Sequence, residues 1–266
     1  MISFFVVVSL FFGLILGSFL NALAYRLPRK ESLMTRSHCT SCFKQIHAWE
    51  NIPVISWLFL RGRCSGCKEP ISLRYPLVEL GTGLAFAFLS WRALDMSCGC
   101  SFLFTLLIFL SFAFVGIFIT LIDLDSRRIP SEAVFSGLIV VLLGVLGYQI
   151  ASGDSSRSVS GLASMAIYFI VYFLLWLFRP GAIGYGDVRL AGLTGLVLGW
   201  VSVETAILGF FLPWFLAMIW LIPSIVKKEK NSKTAIPFGP WMILGTLVAI
   251  VFGDILIGYY LRLGGI

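Results

Sequence analysis

The chain has 266 residues, of which 59% are hydrophobic and only 12% are charged, and its formal net charge is +7. Soluble domains contain about half apolar and a quarter charged residues, so this composition excludes an ordinary soluble domain and indicates a polytopic protein of the lipid bilayer. No nucleic-acid partner is expected, because the basic residues flank apolar runs, where membrane topology and anionic lipids account for positive charge.

The first predicted element is a transmembrane helix over residues 1–25. This run begins MISFFVVVSLFF and contains neither a basic segment at its start nor a small-residue cleavage site. A signal peptide normally has both features, so the run is interpreted as a retained helix.

A polar segment follows over 26–75, and it contains two Cys-x2-Cys pairs, CTSC and CSGC. Two such pairs let four thiolates bind one tetrahedral zinc ion, with each pair forming a tight turn. Two disulfides are the alternative, but the segment is assigned below to the reducing side of the membrane, where stable disulfides are rare. His38 and His47 are surplus to a complete set of thiolates. The predicted zinc ligands are Cys39, Cys42, Cys64 and Cys67.

The rest of the chain consists mainly of apolar runs of the length that crosses a bilayer. A short run at 80–91 becomes a helix if Glu79 and Arg92 lie at opposite interfaces, and 190–226 is long enough for two crossings. Cys98 and Cys100, before the predicted third helix, are assigned no function. We therefore predict an all-α polytopic membrane protein with about eight transmembrane helices and a zinc-binding loop between the first two. The other clear runs lie at 96–122, 133–153, 158–178, 205–226 and 234–253.

The distribution of basic residues predicts the orientation of these helices. In an eight-helix arrangement 17 of the 20 Lys and Arg residues lie on the side of the 26–75 loop, and Arg92, Arg157 and Arg262 lie on the other. The positive-inside rule makes the first side cytoplasmic. Both termini are then expected outside.

Aspartates at two predicted helix ends face this cytoplasmic side. Asp187 begins the sixth helix, where it is either an ordinary N-terminal cap or a catalytic group. Asp123 is near the end of the third helix, where the helix dipole disfavours an anion and only Arg127 and Arg128 offset it. Carboxylates at the membrane edge are costly, so a function is expected for Asp123.

A pair of close carboxyl groups indicates aspartic-protease chemistry. Two such groups cannot both ionise, so one keeps a proton while the other activates a water against a peptide carbonyl. Asp125 competes with Asp123 for this role, but two residues apart on a helix they point about 200° from each other, so at most one faces Asp187. A proton- or ion-coupled transporter is the alternative from another class, since membrane aspartates also form ion paths.

Several motifs occur in order along nearly the whole chain and together resemble those of one family. They are GSFLNALAYRLP at 17–28, both cysteine pairs, WENIPVISW at 49–57, RYPLVEL at 74–80, IDLDSRRIP at 122–130, GYGDVRL at 184–190 and PFGP at 237–240. The chain resembles the type IV prepilin peptidases, bacterial intramembrane aspartyl proteases with a Gly-x-Gly-Asp motif.

The resemblance implies catalysis by Asp123, seven residues before Pro130, and by Asp187 of the Gly-x-Gly-Asp motif. Asp125, Gly184 and Gly186 would support them, as would Arg189, where the family more often has lysine. The enzyme would cleave the basic leader from prepilins and pseudopilins at the cytoplasmic face of the bacterial inner membrane. The alternative hypothesis is that the same aspartates cleave other membrane proteins. The sequence does not indicate an oligomeric state.

The resemblance also implies that the new N-terminus is methylated with S-adenosylmethionine. In the family this activity is associated with the cysteine-containing loop, and here Gly62 and Glu50 match the relevant motifs. The predicted domains are the first helix at 1–25, the metal-binding and methyltransferase-associated loop at 26–75, and the peptidase bundle at 76–266.

Overall fold

The computed structural model describes residues 2–97, 99–179, 181, 183–226 and 237–263. Within these ranges the chain forms nine α-helices, two short 3-10 helices and no strand, which confirms the predicted all-α fold. Cys98 and the basic residues Lys227, Lys228 and Lys230 lie outside the described residues. The α-helices are α1 (Ile2–Arg26), α2 (Ile55–Phe59), α3 (Arg74–Met96), α4 (Cys100–Ser126), α5 (Ser131–Ser152), α6 (Ser156–Phe178), α7 (Tyr185–Val201), α8 (Val203–Val226) and α9 (Gly239–Leu263).

All eight predicted spans correspond to long helices, and α2 is a short additional helix within the loop. Among the described residues, seven helices are long and apolar enough to cross a membrane by length and composition. The eighth, α7, has 17 residues. At 1.5 Å per residue it is about 26 Å long, at the lower limit for a crossing.

The long run 190–226 divides into two helices at Ser202. The backbone of Ser202 is extended between α7 and α8, and its hydroxyl accepts the Thr205 N–H at 3.0 Å. This bond caps the start of α8. Glu204, the acidic residue that interrupts this apolar run, lies in the first turn of α8.

Two compact units divide the chain, residues 1–91 and 92–266, and the division falls within α3. In the first unit α1 packs closely on α3. The two backbones are so near each other that a Cβ on Gly13 would lie only 2.8 Å from the Gly83 Cα. Small residues permit such close packing of membrane helices. The hydroxyl of Ser90 also donates to that of Ser9 at 2.6 Å.

The second unit is built around α7, which packs against α4, α5, α6, α8 and α9. Every α7 residue from Leu190 to Val201 is buried. A helix that is apolar on all sides belongs in the interior of a bundle, which explains why α7 can be short. The N-terminus of this central helix carries Asp187.

Arg92, predicted to lie at an interface, is buried by partners in the second unit. Its guanidinium donates to Asp254 on α9 at 2.5 Å, to Asp95 at 2.6 Å and to the Ile250 carbonyl at 3.1 Å. These bonds neutralise a cation that would be costly beside the hydrocarbon.

Candidate functional sites

Asp123 lies in the last turn of α4 with its side chain buried, and its carboxylate contacts the first residue of α9. The Gly239 N–H donates to Asp123 Oδ2 at 3.1 Å. Gly239 begins α9, so this N–H is one of those that a helix start leaves without an intrahelical partner. The positive end of the α9 dipole therefore offsets the unfavourable dipole of α4. From the sequence, only Arg127 and Arg128 were expected to have this effect.

Asp187 is half-buried in the first turn of α7, and its Oδ2 accepts the Gly184 N–H at 3.0 Å. The structure thus contains the helix cap that we considered for this residue. Asp187 also interacts electrostatically with Asp123 and with Tyr172 on α6. A second carboxyl group thus lies within electrostatic range of Asp187, which a simple cap does not require.

Two glycines let the backbone approach closely beside these carboxyl groups. A Cβ on Gly239 would lie 2.8 Å from Asp123 Oδ2, and a Cβ on Gly186 would lie 2.8 Å from the Ile129 Cβ. Ile129 also lies near Gly239, 3.3 Å from the position of its Cβ. The side chain of Ile129 therefore separates the starts of α7 and α9.

The predicted supporting residues have different positions. Asp125 is exposed, whereas Asp123 is buried. Arg189 stacks on Tyr185, with its guanidinium carbon 4.9 Å from the ring centroid. Asp187 and Arg189 are two residues apart on α7 and point in roughly opposite directions. The Arg189 side chain therefore lies on the Tyr185 side of the helix, away from the Asp187 carboxyl group.

The chemistry that this arrangement permits is that of two unequal carboxyl groups. One is buried and receives an N–H from another helix, and the other is partly open and receives an N–H from its own turn. Different surroundings separate the proton affinities of paired acids, which is the requirement for one to act as an acid and the other as a base.

Sequence reasoning missed two residues of this site. Gly239 was noted only within PFGP, although a proline next to a glycine indicates a helix start, whose free N–H groups attract anions. Tyr172 carried no signal, since it lies in an apolar run and its approach to Asp187 depends on the packing of α6 against α7.

In the loop of the first unit, four sulfur atoms converge, all within 4.8 Å of one another. The Cys39 and Cys67 sulfurs are 3.8 Å apart, and those of Cys42 and Cys64 are 4.0 Å apart. Disulfide sulfurs are about 2.05 Å apart, so these are separate thiols. A zinc ion about 2.3 Å from each ligand requires sulfurs roughly 3.8 Å apart, and these two pairs are close to that spacing.

The two cysteine turns have the same backbone form. In each, the carbonyl of the first cysteine accepts the N–H of the residue four positions on, Phe43 at 2.9 Å or Lys68 at 3.1 Å. Both of these residues have positive φ, 57° and 62°. The loop thus contains two matching turns that face each other across the sulfur cluster.

Electrostatics in this cluster also fits a cation. Within each turn, backbone N–H groups lower the pKa of the first cysteine, to about 6 for Cys39 and in the same direction for Cys64. At Cys67 the Glu69 N–H lowers the pKa, but burial and the three other sulfurs together raise it to about 11. Adjacent thiolates repel, and a bound divalent ion removes that repulsion.

Glu50 and Gly62, the residues predicted for methyl transfer, are both buried in the same unit. Glu50 Oε2 accepts the His47 N–H at 2.8 Å. The nearby Ser65 hydroxyl, the His47 N–H and Lys44 lower the pKa of this carboxyl. Its other oxygen, Oε1, is buried without a hydrogen bond of normal geometry and lies 3.7 Å from Lys44 Nζ.

Gly62 has a positive φ of 66°, and a Cβ there would lie 2.7 Å from Cζ2 of Trp57. The indole N–H of Trp57 donates to the Ile71 carbonyl at 3.1 Å. Only glycine meets both the backbone requirement and the close ring contact, so Gly62 fixes the position of Trp57.

Two family profiles match successive parts of the chain. The Bacterial Peptidase A24 N-terminal domain matches residues 11–93, and the Type IV leader peptidase family matches residues 107–226. The first match contains the cysteine cluster and the second contains both aspartates. No solved structure matches the chain.

Curated relatives match the chain over almost its full length. A prepilin leader peptidase/N-methyltransferase of Pseudomonas putida is 31% identical over 280 residues, covering 95% of this chain and 92% of that protein. The protein of the same name from Aeromonas hydrophila is 32% identical, covering 94% of this chain and 91% of its own length. That from Pectobacterium carotovorum is 34% identical, with 94% and 92% covered.

Proposed function

Because the chain belongs to the type IV leader peptidase family, we propose that it is a membrane aspartyl endopeptidase that cleaves the basic leader from type IV prepilins and pseudopilins. The same protein would methylate the new N-terminus. The observation that carries the peptidase proposal is that the start of α7, which bears Asp187, and the start of α9, which contacts Asp123, both pack against Ile129. The multi-pass helices support a position in the bacterial inner membrane. We assign this site to the cytoplasmic face from the distribution of basic residues.

In the proposed cleavage, Asp123 and Asp187 share one proton. The ionised carboxylate removes a proton from a water molecule, whose oxygen attacks the carbonyl carbon of the scissile peptide. The protonated carboxyl group donates to the carbonyl oxygen. When the tetrahedral species collapses, the C–N bond breaks and the leaving nitrogen takes a proton, which produces a free α-amino group on the mature pilin.

The residues around the pair have supporting roles in this proposal. Gly239 and Gly184 donate backbone N–H groups that hold the two carboxyl groups in place. Gly186 lets the Ile129 side chain pack directly against the first turn of α7, next to Asp187. Asp125 and Arg189 are assigned to the cytoplasmic edge, where they would meet the substrate outside the reacting centre.

Methyl transfer is assigned to the first unit. When bound, S-adenosylmethionine supplies an electrophilic methyl group: the N–C bond forms as the S–C bond breaks, sulfur takes the electron pair, and the proton on nitrogen passes to solvent. Glu50 fits such a cationic group because its buried Oε1 has no hydrogen bond of normal geometry and only a long ion pair, 3.7 Å, with Lys44. Gly62 would act through the position of Trp57, and the loop 26–75 would form the methyltransferase-associated region between the first helix, 1–25, and the peptidase bundle, 76–266.

The four cysteines are assigned to one structural zinc ion. Four thiolates complete a tetrahedral shell, so no position remains for water or substrate, and the ion would hold the loop in shape. The measured sulfur spacing supports this assignment.

The direct test is to incubate the purified protein with a prepilin and S-adenosylmethionine and to follow leader loss and N-terminal mass by mass spectrometry. Asp187→Ala should abolish cleavage, and Asp154→Ala, at an exposed aspartate outside the site, is the control that should retain it. A mass gain of one methylene on the mature product would establish methylation. An unrelated single-span protein, if cleaved at the same rate, would show instead a general intramembrane protease.

A further inference from the structure

The first unit encloses a cavity of about 450 Å³ between α1, the loop and the start of α3. Pockets of 300–1,000 Å³ are typical of small-molecule sites, so a cosubstrate of drug-like size fits. The cavity lies beside the cysteine cluster, and its walls include aromatic and acidic side chains. They include the aromatic residues Tyr25, Trp57 and Tyr75 and the acidic residues Glu50 and Glu79.

Two of the lining residues are glutamates that are more than nine-tenths buried, Glu50 and Glu79. Buried carboxylates normally have a full set of partners, because an unpaired buried charge is costly. Glu50 Oε1 has no hydrogen bond of normal geometry. Its partners are a long ion pair with Lys44 Nζ, at 3.7 Å, and the nearby Ser65 hydroxyl, while Arg26 donates to loop carbonyls, that of Thr35 at 2.8 Å. A cationic ligand in the cavity would add a direct partner for this oxygen.

Glu79 has a different task, because its carboxylate holds an unusual turn. Its Oε2 accepts the Val54 N–H at 2.7 Å. Val54 has φ 62° and ψ −50°, and the next N–H, of Ile55, donates to the Pro53 carbonyl at 2.6 Å. This is the rare form of γ-turn with positive φ, which a β-branched residue adopts only when its surroundings impose it.

The turn determines which side chains reach the cavity. It lies directly before α2, whose residues Ser56 and Trp57 line the cavity. Trp57 is held from the other side by contact with Gly62 and by its bond to the Ile71 carbonyl. Strained backbone of this kind is concentrated at ligand sites, where it preorganises the contact surface.

We propose that this cavity binds S-adenosylmethionine, with Glu50 as the anion for its cationic groups, and that Glu79 is a positioning residue that shapes the cavity by holding the turn at Val54. The ligand carries a sulfonium and an ammonium, and the aromatic rings that line the cavity suit both a cation and an adenine ring. This inference rests on the proposed methyl transfer and adds a location and a residue, Glu79, to it.

The test measures binding as well as activity, using the full, metal-loaded chain in detergent. The Kd for S-adenosylmethionine comes from equilibrium dialysis, methylation is measured on a mature pilin peptide, and cleavage is measured on prepilin. Glu50→Gln should weaken binding about tenfold or more by removing the anion, whereas Glu31→Gln, at an exposed carboxylate of the same cavity, should change it less than about twofold.

Glu79 is tested by a set of three variants. Glu79→Gln keeps an oxygen that accepts the Val54 N–H and should bind within about threefold of wild type. Glu79→Leu should raise both Kd and KM about tenfold or more, with unchanged leader cleavage. Adding Val54→Gly to Glu79→Leu should recover at least about threefold of that loss, because glycine adopts positive φ without support.

Unchanged Kd in Glu79→Leu, or no recovery in a double variant that still cleaves prepilin and retains its metal, would overturn the role of Glu79. Wild-type affinity in Glu50→Gln would overturn the site. If either result is obtained while the wild-type protein still methylates the pilin peptide, the proposed function is retained and only the proposed site or residue role is refuted. Binding in the cavity without any methylation of the pilin peptide would support the site and refute the proposed methyl transfer.

Discussion

In the cysteine loop each ligand lies three residues from its partner, and each turn is closed by its own backbone bonds, whereas Asp123 and the Gly239 N–H that holds it are 116 residues apart. The first site is therefore a local structure that a bound ion can stabilise directly. The second exists only while α4, α7 and α9 are packed together. Damage to the loop should therefore remain local, whereas a change in any of the three helices can disrupt the aspartate site.

The largest effect is expected from removing either aspartate. Asp123→Asn and Asp187→Asn should each lower the rate of leader cleavage about 1,000-fold, since each removes a group required for proton transfer. Methylation of a mature pilin peptide should continue, because that activity is assigned to the other unit. Peptide mass spectrometry measures both. Asp125→Asn removes a charge from the same end of α4 but outside the pair, so it should lower cleavage far less. Equal losses in all three variants would indicate that charge at this membrane edge matters and not the pair.

Metal removal should produce the converse pattern. Chelation, or Cys64→Ser, should lower methylation about 100-fold or more while prepilin cleavage falls less than about threefold, because the loop loses its fold and the bundle does not. Metal content by elemental mass spectrometry and proteolysis of residues 26–75 report the local change. Cys100→Ser, at an exposed cysteine outside the cluster, should alter neither. Loss of cleavage equal to that of methylation would contradict the separation of the two sites.

Gly239→Ala tests the long-range contact. The new Cβ would lie 2.8 Å from Asp123 Oδ2, so either the carboxylate or the start of α9 must move. A displacement of about 1 Å at a reacting group can cost 100-fold, and we expect a loss of cleavage approaching that, with methylation unchanged. Gly258→Ala is the control on the same helix, where a Cβ meets nothing within 4 Å. Normal cleavage by Gly239→Ala would show that the Asp123 contact is dispensable.

Gly62→Ala tests the contact between Gly62 and Trp57 in the loop. It forces a positive φ of 66° on alanine and brings a Cβ to 2.7 Å from Trp57, so methylation should fall about tenfold while cleavage is unaffected. Gly153→Ala imposes a similar backbone strain, at φ 73°, where no atom lies within 4 Å. If both variants methylate equally well, contact with Trp57 has no part in the activity.

The sequence alone predicted the helices well because a membrane span needs a long apolar run, and such runs are visible without any knowledge of packing. The cysteine cluster was also accessible, since the spacing within CTSC and CSGC is a local property. Both cases depend on neighbours along the chain.

What the sequence did not reveal depends on distant contacts. The bond from Gly239 to Asp123 crosses from α9 to α4, and the bond from Val54 to Glu79 crosses from the loop to α3. Glu79 was expected only to mark an interface, yet it holds a strained turn. PFGP and RYPLVEL were noted as motifs, but a motif does not state which backbone N–H its residues will meet.

The smallest effect is expected at a local cap far along the chain from both sites. Asp154 is exposed, and the Ser156 N–H and then the Ser156 hydroxyl hold its pKa below the usual value. A lowered pKa means that the ionised form is stabilised by folding, so this contribution is present above about pH 4 and is lost as the pH falls through the lower folded value. Asp154→Ala should therefore lower Tm by about 1–2 °C at pH 6 and by less at pH 3, with neither activity changed. A Tm difference that grows on acidification would reverse this sign, and a loss of cleavage would mean that the turn between α5 and α6 is coupled to the aspartate pair through α6 and α7.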